Sequence, residues 1–161
     1  MYDAIIHAQA VEFDVPVAWI KAVIQTESSW NPKAYRAEPQ INDASYGLMQ
    51  LLYRTARGLG YDGTPEGLYD PAINIALGAK LLGDLRVRYG DDFRRVYSAY
   101  NSGRPDLWET SSQVGTNVAR ALVNLEAALR AEPVLATAGA GGVILVGVLI
   151  WMWTRSTKGG K

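Results

Sequence analysis

The feature that most limits how this chain can fold is a run of 20 consecutive uncharged residues, 134–153, close to its C-terminus. A helix of that length extends about 30 Å, which is the thickness of the hydrocarbon core of a bilayer. Two tryptophans stand at the end of the run and basic residues follow them, as is typical of a membrane interface. We therefore predict a transmembrane helix over 133–154 and a short basic tail over 155–161; the alternative is a buried core helix.

The rest of the chain, residues 1–132, is long enough for one domain with a hydrophobic core. It contains 13 basic and 16 acidic residues, so it lacks the positive charge expected of a nucleic-acid-binding protein. The chain has no cysteine, and His7 is its single histidine. This composition argues against a thiolate or histidine-rich metal site and against a serine triad. We expect neither a metal nor an organic cofactor.

The apolar pattern of this domain is mostly helical. Apolar residues recur at helical spacing after Pro16, after Asp70, after Asp92 and from Val114 onwards. Turn-rich stretches separate these segments, and no convincing run of alternating strands appears. We predict an all-α, or α-dominated, domain with at most a small β element in the loop over 31–46.

The segment "VPVAWIKAVIQTESSW", residues 15–30, places an acid where the helical pattern calls for an apolar residue. At 100° per residue, Glu27 lies on the same face as Ile20 and Ile24, at the C-terminal end of the helix. Loss of water and the negative pole of the helix dipole both favour the protonated carboxyl and should raise its pKa. Such an acid suits general-acid cleavage of a glycosidic bond. The alternative is a glutamate that turns into solvent at a frayed helix end.

Two later motifs strengthen the hypothesis that this glutamate is catalytic. "SYGLMQL" (45–51) puts a glycine before a short apolar turn, and "SAYNSG" (98–103) ends a helix at a glycine. Each alone is an ordinary turn or cap. With "ESSWNPKA" (27–34) and "DPAINIALGAKLLGDL" (70–85), in this order, they resemble the motif series of the soluble lytic transglycosylase family, which is related to goose-type lysozymes. The resemblance covers roughly residues 10 to 125.

This resemblance implies a lysozyme-like fold and a peptidoglycan substrate, cut between N-acetylmuramic acid and N-acetylglucosamine. Glu27 would act as the sole general acid and base, because the muramoyl 6-hydroxyl is already tethered and closes a 1,6-anhydro ring. Tyr100 would hydrogen-bond Glu27 and orient it, whereas core packing is the alternative for Tyr100 and Met49. The side chains expected to bind substrate are Ser45, Met49, Gln50, Tyr100 and Asn101.

The setting follows from the resemblance together with the predicted span. The N-terminal segment has no signal-peptide pattern, which favours a bacteriophage virion component that opens the cell wall during genome entry. Such a protein would be anchored in a virion internal membrane or the host envelope, with its catalytic domain facing the periplasm when active. Expected partners are glycan strands, lipid through residues 134–153, and a second copy or other virion membrane proteins. Alternatives are a bacterial membrane-bound transglycosylase, a lysozyme-type muramidase, and a catalytically silent glycan-binding or structural membrane protein.

Overall fold

The computed structural model of the protein describes residues 2–132, which form six α-helices, three short strands and three short 3₁₀ turns. The helices are α1 (Asp3–Glu12), α2 (Val17–Ser28), α3 (Tyr53–Gly58), α4 (Pro71–Tyr89), α5 (Phe93–Ser102) and α6 (Ser112–Ala131). The strands are β1 (Tyr35–Glu38), β2 (Asp43–Tyr46) and β3 (Leu51–Leu52). The prediction of an α-dominated domain with a small β element is confirmed.

The predicted membrane span and the basic tail lie outside the described residues. Among residues 2–132, the structure contains no helix long and apolar enough to cross a membrane.

The helices after residue 70 begin and end where the capping residues predict. The Asp70 carboxylate accepts from the backbone N–H of Ala72 at 2.7 Å and so starts α4. Asp92 accepts from the N–H of Arg94 and starts α5 in the same way. Helix α5 stops at Gly103, which adopts a left-handed conformation with φ of 76°. These caps fix the lengths of the helices that carry the later motifs.

The three strands form one antiparallel sheet in the order β1, β2, β3. Tyr35 pairs with Tyr46 across the first two strands, and Ser45 pairs with Leu52 across the second two. The first hairpin falls within the loop over 31–46, as expected, while the sheet extends beyond that loop into β3. Between β2 and β3 the chain makes the turn that contains the "GLMQ" sequence, so the sheet holds this turn on both sides.

Helix α2 runs through the centre of the domain. It packs most extensively on α6 and also contacts α1 and α4. Three of its side chains, Ile20, Val23 and Ile24, are fully buried. Burial of each aliphatic side chain of this kind stabilises the fold by about 1.5–3 kcal/mol. Helix α2 is therefore a rigid support for the residues at its C-terminal end.

Candidate active site

A cavity of about 550 Å³ lies beside the C-terminal end of α2, and we call it the groove. Side chains from α2, the sheet, α4 and the end of α5 line it. The residues predicted from the sequence that line it are Glu27, Ser45, Gln50, Tyr100 and Asn101. Motifs that lie far apart in the chain thus meet at one surface.

Glu27 occupies the last turn of α2 and is half-buried at the wall of the groove. Burial raises the pKa of its carboxyl above the ordinary value, because the ionised form loses water. A hydrogen bond from Tyr97 and the positive charges of Arg36 and Arg120 lower that pKa, but burial outweighs them. Glu27 therefore combines a raised pKa with access to the groove, as its helical position leads us to expect.

Tyr97, which the sequence analysis did not select, is the residue that orients Glu27. Its hydroxyl donates to Glu27 Oε1 at 2.7 Å, and its ring is 1% exposed and stacks against Phe93 and Tyr100. Burial and the nearby Glu27 carboxylate raise the pKa of Tyr97, so its hydroxyl remains a donor across the working pH range. The rigid ring stack fixes the position of this donor.

The expectation that Tyr100 bonds Glu27 is wrong. The Tyr100 hydroxyl donates instead to the backbone oxygen of Met49 at 2.7 Å, which ties α5 to the turn between β2 and β3. Tyr97 and Tyr100 are three residues apart and share one face of α5, so either ring is a reasonable partner on spacing alone. The i, i+3 repeat in "VYSAYN" was the available signal for Tyr97.

Met49 does not present its side chain to the groove. It is fully buried, and a Cβ at Gly78 would overlap its sulfur atom. The missing side chain at Gly78 is therefore what allows α4 to pack against Met49. The expectation that the Met49 side chain binds substrate is therefore wrong: the alternative of core packing applies, and Met49 contributes through its backbone.

Asn74 explains how α4 holds this turn. Its side chain is fully buried, and Oδ1 accepts from the N–H of Met49 at 2.7 Å. Its Nδ2 donates to the backbone oxygens of Tyr46 at 2.9 Å and Leu68 at 2.8 Å. One amide thus pairs with three backbone groups, of Met49 and Tyr46 around the turn and of Leu68 in the 3₁₀ turn before α4, and buried groups of this kind need a partner. Gly47, with φ of 74°, passes so close that a Cβ there would collide with Asn74.

Gln50 and Ser45 present polar atoms at the same wall of the groove. Gln50 Nε2 donates to the backbone oxygens of Ala34 and Gly47, each at 3.1 Å. These bonds occupy the amide nitrogen and leave Oε1 as an acceptor for a ligand. Ser45 lines the groove although the residue is only 2% exposed. The wall therefore offers a carbonyl oxygen and a hydroxyl beside Glu27.

A family model described as the Transglycosylase SLT domain matches residues 4–123 of the chain. The chain belongs to this family. The match includes Glu27, the turn around Met49 and the end of α5, so it contains all the site residues described above. It ends within α6.

Curated relatives of this SLT-domain chain come from a phage and from bacteria. A transglycosylase of Enterobacteria phage PRD1 is 36% identical over 98 residues, which are 61% of this chain and 33% of the relative. Membrane-bound lytic murein transglycosylase C of Shigella sonnei is 35% identical over 116 residues, or 63% of this chain and 31% of the relative. The chain therefore spans about a third of the length of these relatives.

Solved structures share the fold. The lytic transglycosylase Slt of Pseudomonas aeruginosa, solved as an inactive glutamate-to-glutamine mutant, aligns with a TM-score of 0.68 and 21% identity. The alignment covers 79% of this chain and 24% of that one. The 70 kDa soluble lytic transglycosylase of Escherichia coli gives a TM-score of 0.57 at 24% identity, covering 80% of this chain and 21% of that one. The lysozyme-like SLT fold is thus confirmed.

Because Tyr97 donates to an ionisable group, the effect of Tyr97→Phe on the free energy of unfolding should depend on pH. The pKa of Glu27 is expected to rise further, because the lost O–H donor favours the carboxylate. The loss of unfolding free energy should be about 1 kcal/mol at low pH and about 1.5–3 kcal/mol once Glu27 is ionised. NMR titration of the Glu27 carboxyl carbon and urea unfolding at several pH values measure these two effects.

Tyr100→Phe is the matched control for this variant. It removes a hydroxyl from the same ring stack, but that hydroxyl donates to a backbone oxygen and not to Glu27. Its effect on stability is expected to be about 1 kcal/mol at every pH. A Tyr97→Phe protein in which Glu27 titrates as in the wild type would contradict the orienting role.

Proposed function

We propose that this protein is a peptidoglycan lytic transglycosylase that uses Glu27 as its only general acid and base. The observation that carries the proposal is a carboxyl with a raised pKa, held by the Tyr97 hydroxyl, at the wall of a groove lined by amides and a hydroxyl. Membership of the Transglycosylase SLT domain family and the names of the relatives support it.

The proposed reaction has two proton transfers through Glu27. Protonated Glu27 first gives its proton to the glycosidic oxygen between N-acetylmuramic acid and N-acetylglucosamine, and the bond to the muramoyl C1 breaks. The Glu27 carboxylate then takes the proton of the muramoyl 6-hydroxyl, whose oxygen forms a bond to C1. The products are a free N-acetylglucosamine end and a 1,6-anhydromuramoyl end, and Glu27 regains its proton. No water is consumed.

Ser45, Gln50, Tyr100 and Asn101 are proposed to hold the glycan in the groove. Amide and hydroxyl groups both donate and accept hydrogen bonds, which suits the hydroxyl and N-acetyl groups of the sugars. Tyr100 contributes mainly through its bond to the Met49 backbone, which holds the turn that carries Gln50. When the muramoyl 6-hydroxyl lies next to Glu27, its attack on C1 is intramolecular and therefore fast. This gain in rate removes the need for a second carboxylate.

A second acid at the groove keeps lysozyme-type hydrolysis as the alternative reaction. Among residues 2–132, Glu38 is the other carboxylate that lines the groove. Its Oε1 accepts from Arg36 at 2.5 Å and its Oε2 accepts from Gln40 at 2.9 Å. Each oxygen thus accepts one hydrogen bond and keeps a further lone pair, so these contacts leave Glu38 available as the base that hydrolysis would need. The product of the reaction therefore decides between the two.

Digestion of purified peptidoglycan followed by mass spectrometry of the fragments tests the proposal. The wild-type protein and Glu38→Gln are both expected to yield 1,6-anhydro ends, whereas Glu27→Gln yields no fragments. Reducing ends from the wild type, lost in Glu38→Gln, would show that the protein is a muramidase. Absence of any fragments from the wild type would leave a glycan-binding or structural role.

We further propose that residues 134–153 anchor the enzyme in a membrane and that it opens the wall locally as part of a phage particle. The uncharged run and the phage relative support this setting, while the bacterial membrane-bound relative supports the rival one. Fractionation of the full chain tests the anchor: it should remain with lipid vesicles after an alkaline wash. Recovery of the full chain in the aqueous phase would overturn the anchor.

A further inference from the structure

Helix α6 carries a chain of polar side chains that ends at the groove. Arg120 Nη2 donates to Asn117 Oδ1 at 2.8 Å. Asn117 Nδ2 donates in turn to Asn101 Oδ1 at 3.2 Å. Asn101 belongs to the end of α5 and lines the groove with Glu27, whereas Asn117 and Arg120 lie behind it and are not among its described lining residues. The reaction proposed above makes no use of these two residues.

The direction of this chain follows from the chemistry of arginine. A guanidinium has five N–H donors and no acceptor, so the Asn117 atom that faces Arg120 must be the amide oxygen. The amide nitrogen of Asn117 then faces Asn101, which must receive it with its own oxygen. The remaining group of Asn101, its NH₂, is the one left for the groove. The oxygen and the NH₂ group of an amide have nearly the same shape, so packing alone does not decide which of them faces a given neighbour. A fixed donor such as Arg120 decides it.

Two further observations strengthen this order. Gln113 Nε2 also approaches Asn117 Oδ1, at 3.4 Å, so a second donor can favour the same orientation of the Asn117 amide. Asn101 and Asn117 are both half-buried, which limits the competition from water for their mutual bond. The amide of Asn101 is therefore held from behind by α6, and not by the ligand that it meets.

We propose that Asn117, held by Arg120, is a positioning residue that makes Asn101 present N–H donors to the groove. The groove then selects glycans that place an oxygen acceptor at this point, such as the carbonyl of an acetamido group. This inference rests on the proposed function, because it states how the same groove chooses its substrate. Gln50 presents the opposite polarity, since its nitrogen donates to two backbone oxygens and its oxygen accepts from no other residue among 2–132. Asn101 therefore donates to an acceptor of the glycan, and Gln50 accepts from a donor of the glycan.

The test changes Asn117 and keeps Arg120, because the charge of Arg120 also lowers the pKa of Glu27. In Asn117→Asp both side-chain oxygens are acceptors, so Asn101 must turn its amide to donate to Asp and its oxygen then faces the groove. KM for peptidoglycan fragments is expected to rise about 10–100-fold, with kcat changed less than about threefold. In Asn117→Ala the Asn101 amide is free to choose its orientation, and KM should rise less than about fivefold.

The order of these two variants separates positioning from a merely structural role. Aspartate keeps the size of asparagine and its contact with Arg120, so a structural role predicts that alanine is the more harmful change. Positioning predicts the reverse. In an Asn101→Ala background, Asn117→Asp should raise KM no further, because the two residues act through one bond. Equal or greater harm from alanine, or an undiminished effect of aspartate in that background, would overturn the inference.

Asn124→Asp is the matched control, because it adds the same charge to the same helix. Asn124 bonds Thr26 and is not among the described residues of the groove, so KM should stay within about twofold of the wild type. A readout that does not need activity is the solvent exchange of the Asn101 side-chain NH₂ protons by NMR. These protons should exchange rapidly in the wild type and become protected in Asn117→Asp. If that shift occurs in a protein that cuts no peptidoglycan, the proposed function fails and the amide orientation stands; without the shift, the orientation fails.

Discussion

Replacing Glu27 with glutamine is expected to lower kcat/KM for peptidoglycan cleavage by about 10⁴-fold. A general acid or base typically contributes about 10²–10⁴-fold, and we expect the upper end because Glu27 performs both proton transfers. Glutamine keeps the size of the side chain and can still accept from Tyr97, so the groove should keep its shape. Rates of release of 1,6-anhydro fragments from purified peptidoglycan measure the effect. Cleavage at more than about a tenth of the wild-type rate would contradict the assignment.

The same variant should be at least as stable as the wild type. The pKa of Glu27 is raised in the folded state, so its contribution to stability is fully present below the ordinary carboxyl pKa and is lost as pH rises through the raised value. Glutamine does not ionise, so Glu27→Gln should unfold at a higher temperature than the wild type on the alkaline side of this transition. Thermal unfolding at several pH values measures the difference. The same measurement serves as a control for the loss of activity. If Glu27→Gln were unfolded, its inactivity would say nothing about proton transfer.

Replacing Asn74 with alanine is expected to have the largest effect on stability, about 3–5 kcal/mol. The change leaves the N–H of Met49 and the backbone oxygens of Tyr46 and Leu68 without their partner in the core. An unsatisfied buried polar group costs about 1–3 kcal/mol, and small shifts or an entering water recover part of the sum. Because a small domain is stable by only about 5–15 kcal/mol, a large fraction of the protein is expected to unfold near 37 °C. Urea unfolding followed by tryptophan fluorescence measures the loss.

Asn124→Ala is the control for this experiment. Its side chain makes one half-buried bond, to Thr26 at 2.9 Å, in place of the three bonds of Asn74. The expected loss is about 0.5–1.5 kcal/mol. If Asn74→Ala were no more harmful than Asn124→Ala, the turn between β2 and β3 would not depend on the buried amide.

Helix boundaries were predictable because they depend on residues that are neighbours in sequence. Asp70, Asp92 and Gly103 act within two to four residues of their own positions, so their identities alone indicate where α4 and α5 begin or end. The sheet is different. Tyr35–Glu38 is almost wholly exposed and shows no alternation of buried and exposed side chains, so nothing in its composition marks it as a strand. It forms because β2 pairs with it.

The site divides in the same way. The position of Glu27 was predictable because burial along α2 repeats with the period of the helix, and the pKa follows from that burial. Which tyrosine meets Glu27 depends on how α5 is rotated against α2, and spacing within α5 does not contain that angle. The burial of Met49 depends likewise on Gly78, which is 29 positions away in the chain. The contribution of Asn117 depends on how α6 packs against the end of α5.

The contact between Met49 and the bare backbone of Gly78 has a consequence for how sequences of this family diversify. Gly78 is not free to gain a side chain by itself, since a methyl group there needs a shorter side chain at Met49. Related sequences that carry a side chain at position 78 should therefore have a smaller residue at position 49. The side chain of Gln50, one residue further along, bonds the backbone of Ala34 and Gly47 instead of packing on α4 as Met49 does. Substitution of Gln50 can therefore change how the groove binds a ligand, whereas substitution of Met49 disturbs the packing of α4.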